Sequence, residues 1–226
     1  MNPQELLDKY AAGERDFRGI KLREGYLKEV NLKGVFLEGA DLRGCNLLSA
    51  DLRGAYLANA NLEGAYLGGA FLNEACLQGS SLLGAYLGAT QLWRAQLRGA
   101  ALDKESEIPS KWYLIWELVN FGSKTTRLRN LDLSGARLNW TKLSQMDLQE
   151  VNLKQADLWR ADLSYSNLYA ANFQGADLQW SILNGTDLRG SNLSQASLLG
   201  ASYSDSTRFP QGFDPIVMGM KKAESF

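Results

Sequence analysis

The chain has 226 residues, with 24 Lys plus Arg against 25 Asp plus Glu, two Cys and no His. A net charge of -1 argues against nucleic acid as a partner, and the lack of histidine excludes Ser-His-Asp and Cys-His nucleophilic sites, histidine general bases and nearly every catalytic zinc site. Cys45 and Cys76 are too few for a disulfide framework, no apolar run reaches the ~18 residues of a membrane span, and the first residues carry acids, so a cytoplasmic protein is expected. Residues 1–14 predict a short capping helix. Asn2, Pro3 and Glu5 supply an N-cap, a first-turn proline and a capping-box acid, followed by Leu6, Leu7 and Tyr10 and a stop at Gly13.

Residues 15–102 carry a period of five. Phe17, Leu22, Leu27, Leu32 and every fifth residue to Leu102 form eighteen centres, all but the first leucine. Two residues before each centre stands a small residue, often Ala (Ala40, Ala50, Ala55, Ala60), and one before it often Asp or Asn (Asp41, Asp51, Asn61). A step of five spirals leucines around every side of an α-helix, and an odd step puts them on alternate faces of a strand. The pattern fits short extended pairs, small residue then leucine, separated by two-residue turns whose second position is often Gly, as in Gly34, Gly44 and Gly64. Such a chain coils around one apolar interior. Ile20, Val30, Val35, Leu131, Met146 and Val151 enlarge the small position and are expected to adjust core volume.

These units resemble the pentapeptide-repeat family, whose A-(D/N)-L-x-x motif appears as Ala40-Asp41-Leu42-Arg43-Gly44 and Ala60-Asn61-Leu62-Glu63-Gly64. The resemblance implies an all-β fold, a right-handed quadrilateral β-helix with four five-residue repeats per coil, here with a short N-terminal capping helix and a helical insertion. Residues 103–125 are expected to be that insertion, since the next centre after Leu102 is Leu128. Ser110 to Gly122 read as a helix, with Ser110 as N-cap and with Trp112, Ile115, Trp116 and Val119 on one face. The rings either cover the side of the coil or form an exposed recognition element. Residues 126–205 resume the period from Leu128 to Tyr203. Residues 206–226 form a C-terminal cap and tail in which Phe209, Phe213, Ile216 and Val217 are expected to cover the last coil, the whole making one continuous structural domain.

No phosphate loop, metal-spaced cluster or nucleophile motif occurs, so no catalytic residue, cofactor or metal site is expected and the protein is read as non-enzymatic. The recurrent Asp and Asn are expected to be solvated edges or local hydrogen-bond partners. With four repeats per coil, residues twenty apart lie above one another. Trp140, Arg160 and Trp180 then share an outward column with Trp159 alongside, either as a cation-π stack or as a protein-binding face. Phe36 and Tyr56, and Tyr66 and Tyr86 with Tyr26, make a second candidate surface. The expected function is a β-helical scaffold for protein–protein interaction, with an unidentified protein or a second copy of the chain as partner and neither nucleic acid nor membrane. The alternative implied by the resemblance is a DNA mimic that binds DNA gyrase, which requires an extended acidic face.

Overall fold

The computed structural model describes residues 1–122 and 126–223, in two compact units, Met1–Trp116 and Glu117–Phe226. The last three residues of the expected insertion, 123–125, and of the tail, 224–226, lie outside the described residues.

In the first unit, helix α1 (Pro3–Ala11) begins as read: the Asn2 side chain accepts a hydrogen bond from the Glu5 amide at 2.8 Å. Leu6 is fully buried, and the Tyr10 hydroxyl donates to the Lys33 carbonyl at 2.8 Å, tying the helix to the first coil. From Asp16 onward every fifth residue forms a parallel bridge to the residue twenty positions later, Asp16 to Phe36, Lys21 to Asp41, Tyr26 to Asn46, Asn31 to Asp51 and so on. Four pentapeptides therefore make one coil. The second unit repeats the arrangement from Arg127 to Asp147 through Ile182 to Ser202.

The backbone amides explain the pentapeptide residue by residue. Around Leu42, the Asp41 amide donates to Ile20 O in the preceding coil, while the Leu42 and Gly44 amides donate to Asn61 O and Glu63 O in the following one. The Cys45 amide closes the turn on Leu42 O. That leaves the amide just after the centre, which donates to the Asp or Asn side chain before the centre: Arg53 N to Asp51, Glu63 N to Asn61, Trp159 N to Asp157 and Gln174 N to Asn172, all at 3.1 or 3.2 Å. The recurrent Asp and Asn are thus local hydrogen-bond partners. Extended stretches are so short that, among the described residues, only β1 (Ser202–Tyr203) and β2 (Lys221–Lys222) form a continuous strand pair, parallel and in register Ser202 to Lys221. The all-β expectation holds only in part: the coils are ladders of isolated parallel bridges with little continuous strand.

The centres and small residues form the core. Leu62, Leu67, Leu72, Leu158 and Leu163 are completely buried, as are Ala65, Ala70 and Ala161. Several hydroxyls and a thiol at the small position reach the carbonyl of a centre leucine in the preceding coil, Thr90 Oγ1 donating to Leu67 O, Ser166 Oγ to Leu143 O and Cys45 Sγ to Leu22 O, whereas the buried Thr141, Ser181 and Ser191 hydroxyls have no partner among the described residues. Of the enlarged small positions, Val35 and Val151 are fully buried, whereas Ile20, Val30 and Leu131 are partly open.

Three elements differ from the sequence reading. After Ala101 the coil takes a six-residue step, so that Glu107 pairs with Tyr86, twenty-one positions away, and Ser106 fills the small position with its hydroxyl on Leu82 O. The register therefore runs past Leu102 before helix α2 (Ser110–Phe121) begins. Ser110 is the first helical residue, and Pro109 O accepts the Trp112 amide. Trp112, Ile115, Trp116 and Val119 are buried, and the Trp116 indole donates to Ala100 O at 2.7 Å, which makes the helix a docked cover. At the C-terminal end Phe209 stacks on Phe213 (5.0 Å between centroids) and meets Tyr203 edge-on, but Ile216 and Val217 are 75% and 79% exposed. They do not cover the coil, because the turn of residues 215–219 points them outward while Met220 takes the buried place.

Candidate functional site

The strongest candidate surface lies in the second unit, at the corner occupied by the second turn residue. Trp140, Arg160 and Trp180 all adopt left-handed backbone conformations, with φ of 61°, 55° and 60°. Their amides donate to Trp159 O, Gln179 O and Leu199 O, each in the next coil, which aligns the three side chains as a column. A large side chain in this conformation costs free energy that glycine avoids, about 1 kcal/mol or more per residue. Glycine fills the same corner one coil later, at Gly200, with φ of 73°.

The column is not a simple alternation. Arg160 packs against Trp140 and Trp159, with its guanidinium carbon 4.8 and 4.7 Å from the two ring centroids, and those indoles meet edge to face at 5.2 Å, so the three groups form a compact triangle. The expected stack of Arg160 between Trp140 and Trp180 does not form: the guanidinium carbon lies over Trp140 and over Trp159, its neighbour on the same turn. Trp180 lies instead over Gly200, where an added Cβ would come within 2.9 Å of the ring, and its cation is Lys221, 4.9 Å from the centroid. Trp140 is 53% and Trp180 45% exposed, and Trp159 is half-buried.

The first unit carries the other aromatic columns. Phe36 and Tyr56 occupy paired positions with rings 4.8 Å apart, and Cys76 follows Tyr56 in the same ladder. Tyr66 pairs with Tyr86 along the backbone, and Tyr26 is two coils earlier through Asn46. The Tyr86 ring lies across Gly68 and Gly88, so close that a Cβ at Gly88 would stand 2.6 Å from its hydroxyl oxygen. Sequence reasoning missed this seat, whose signal is a pair of glycines, Gly68 and Gly88, at the first rather than the second turn position.

The carboxylates are arranged for structure. Asp51 is held by Arg53 and Asp187 by Arg189, and both are pushed below the usual carboxylate range, chiefly by those guanidinium hydrogen bonds. Asp16 is lowered to about 2, first by its hydrogen bond from Arg18. Two open surface depressions, one of about 260 Å³ beside Asp16, Arg18, Phe36 and Glu38 and one of about 380 Å³ beside Tyr165, Asn167, Asp187 and Arg208, are lined by these carboxylates. An acid so depressed is a poor proton donor or acceptor near neutral pH. Burial pushes the Cys45 thiol up to about 11, so it is an unreactive core side chain. Among the described residues no group of His, Cys, Asp and Glu is arranged to hold a metal, and no helix is long and apolar enough to cross a membrane.

A model of pentapeptide repeats matches in eight copies over residues 16–47, 47–82, 132–168, 143–179 and 171–202, more than half of the chain. The chain belongs to the pentapeptide-repeat family. Among solved structures, this pentapeptide-repeat chain is similar to HetL of the cyanobacterium Nostoc sp. strain PCC 7120, a pentapeptide repeat protein involved in heterocyst differentiation regulation, with 30% identity over 94% of this chain and 99% of that one and a TM-score of 0.32. It is also similar to QnrB1, a plasmid-mediated fluoroquinolone resistance protein (18% identity, 93% and 87% covered, TM-score 0.33), and to Rfr23 of the cyanobacterium Cyanothece 51142 (18%, 91% and 99%, 0.25). Comparison with curated proteins finds no match.

Proposed function

We propose that the protein is a non-enzymatic scaffold for protein–protein interaction, each unit being a right-handed quadrilateral β-helix. The twenty-residue ladder supports the coil, because four corners per turn return the chain above itself. The observation that carries the docking role is the corner of Trp140, Trp159, Arg160 and Trp180: two indoles about half exposed, with cations packed on the ring faces in one column. Trp and Arg are the residue types most enriched at interface hot spots. Tyr66 and Tyr86, with Phe36 and Tyr56, offer a second and flatter surface.

Against the DNA-mimic reading stands the pairing of the acids. Asp16, Asp41, Asp51, Asp147 and Asp187 are each engaged by an arginine, so the ladders present ion pairs rather than a continuous acidic face. Inhibition of gyrase supercoiling at stoichiometric protein would restore that reading.

The scaffold reading is tested with Trp140→Ala, Arg160→Glu and Trp180→Ala combined. Size-exclusion chromatography and affinity capture should give a folded protein that has lost its captured partner or its self-association. Unchanged oligomeric state together with unchanged captured proteins would remove this corner from consideration.

A further inference from the structure

We infer that the indole corner of the second unit docks an extended, acidic segment of a protein partner, in which carboxylates alternate with apolar side chains. This rests on the scaffold reading and specifies its partner chemistry. Arg18, Arg23, Arg43, Arg53, Arg129 and Arg189 each hold an aspartate. Arg160 and Lys221 do not: among the described residues neither makes an ion pair or a side-chain hydrogen bond, and both lie over indole faces of the same column.

Packing against two indoles restricts the Arg160 guanidinium while no acceptor among the described residues takes its side-chain N–H groups, so they stay available to a ligand at reduced entropic cost. The corner thus combines half-exposed apolar surface with two cations that make no direct ion pair among the described residues, a combination complementary to carboxylates beside aliphatic or aromatic groups. Trp140, Arg160, Trp180 and Gly200 succeed one another at steps of ~4.8 Å, roughly 14 Å in all, a length that about four extended residues span. Gly200 leaves the end of the column free of side chain beyond the Trp180 ring.

A single-stranded nucleic acid would also find cations and stacking surfaces here. Asp157 and Asp177 disfavour it, because these acidic side chains stand on the adjoining bridge column and accept the Trp159 and Gln179 amides, with the one cation pairing Asp157 among the described residues, Arg137, at 4.0 Å. A continuous phosphate backbone would run against them, whereas a peptide places carboxylates only where cations wait.

The probes are a synthetic peptide in which Glu alternates with Leu and Phe, the same peptide with Lys for every Glu, and an oligothymidylate. Each is titrated into the full chain with tryptophan fluorescence as the readout. The acidic peptide should bind, the basic one should not, and Arg160→Gln with Lys221→Gln should weaken binding about tenfold or more while leaving the thermal midpoint near wild type. Rising salt should weaken binding. Equal binding of the basic peptide, tighter binding of the oligothymidylate, or an affinity indifferent to the double substitution would each overturn the inference. Absence of peptide binding alongside partner capture that still depends on Trp140 and Trp180 would overturn the acidic partner alone and leave the scaffold reading standing.

Discussion

The Tyr86 ring lies on Gly68, and a Cβ built at that glycine would stand 2.9 Å from Tyr86 Cδ1. Gly68 has no left-handed φ, so its glycine is required by the ring above it and not by the backbone. Gly64 is the converse, with φ of 63° and nothing within 4 Å of its would-be Cβ.

These two glycines should therefore fail differently. Gly64→Ala should cost about 1 kcal/mol of stability through backbone strain alone, whatever stands at position 86. Gly68→Ala should destabilise by displacing the tyrosine, and Tyr86→Ala should largely abolish that cost. Thermal melts of the single and double variants would show it. An identical penalty for Gly68→Ala with and without the ring would contradict the seat.

Core leucines should dominate stability. Leu62 and Leu163 are completely buried, and truncation of either to alanine leaves a cavity expected to cost about 2 to 5 kcal/mol. Glu63, next along the chain, is only half-buried and accepts a hydrogen bond from the Ser81 hydroxyl at 2.9 Å, so Glu63→Ala should cost far less. Chemical denaturation checks the contrast, and similar losses at Leu62 and Glu63 would refute the inward assignment.

The arginine-held aspartates predict an acid dependence. Asp51 and Asp187 are more acidic in the folded chain than in an unfolded one, so their contribution is present above the ordinary carboxylate range and is lost as pH falls through their depressed values. Arg53→Gln with Arg189→Gln should be less stable than wild type near neutral pH, and the difference should close as the carboxylates protonate. A difference that stays constant across the acid range would mean that the pairs do not shift these groups.

The pentapeptide was legible because each position meets one requirement that sequence displays: leucine inward, a small residue beside it, Asp or Asn to accept an otherwise unpaired amide, and often, though not always, glycine where φ is positive. The exceptions were hidden where another group satisfies the same requirement. The six-residue step before Glu107 keeps its core place through the Ser106 hydroxyl, which occupies the small position as alanine would. A spacing of twenty aligned Trp140, Arg160 and Trp180, yet the guanidinium chose Trp159, since a column fixes backbone positions and leaves side-chain rotamers to their neighbours. Ile216 and Val217 look like cover in sequence, and only the direction of their turn exposes them.

Hydroxyl-radical footprinting of the protein with and without its captured partner tests the docking face most directly. Protection should fall on Trp140, Trp159 and Trp180, with Tyr26, Tyr66 and Phe36 oxidised as in the free chain. Protection confined to the tyrosines of the first unit or to α1, with the three indoles still fully reactive, would contradict the account.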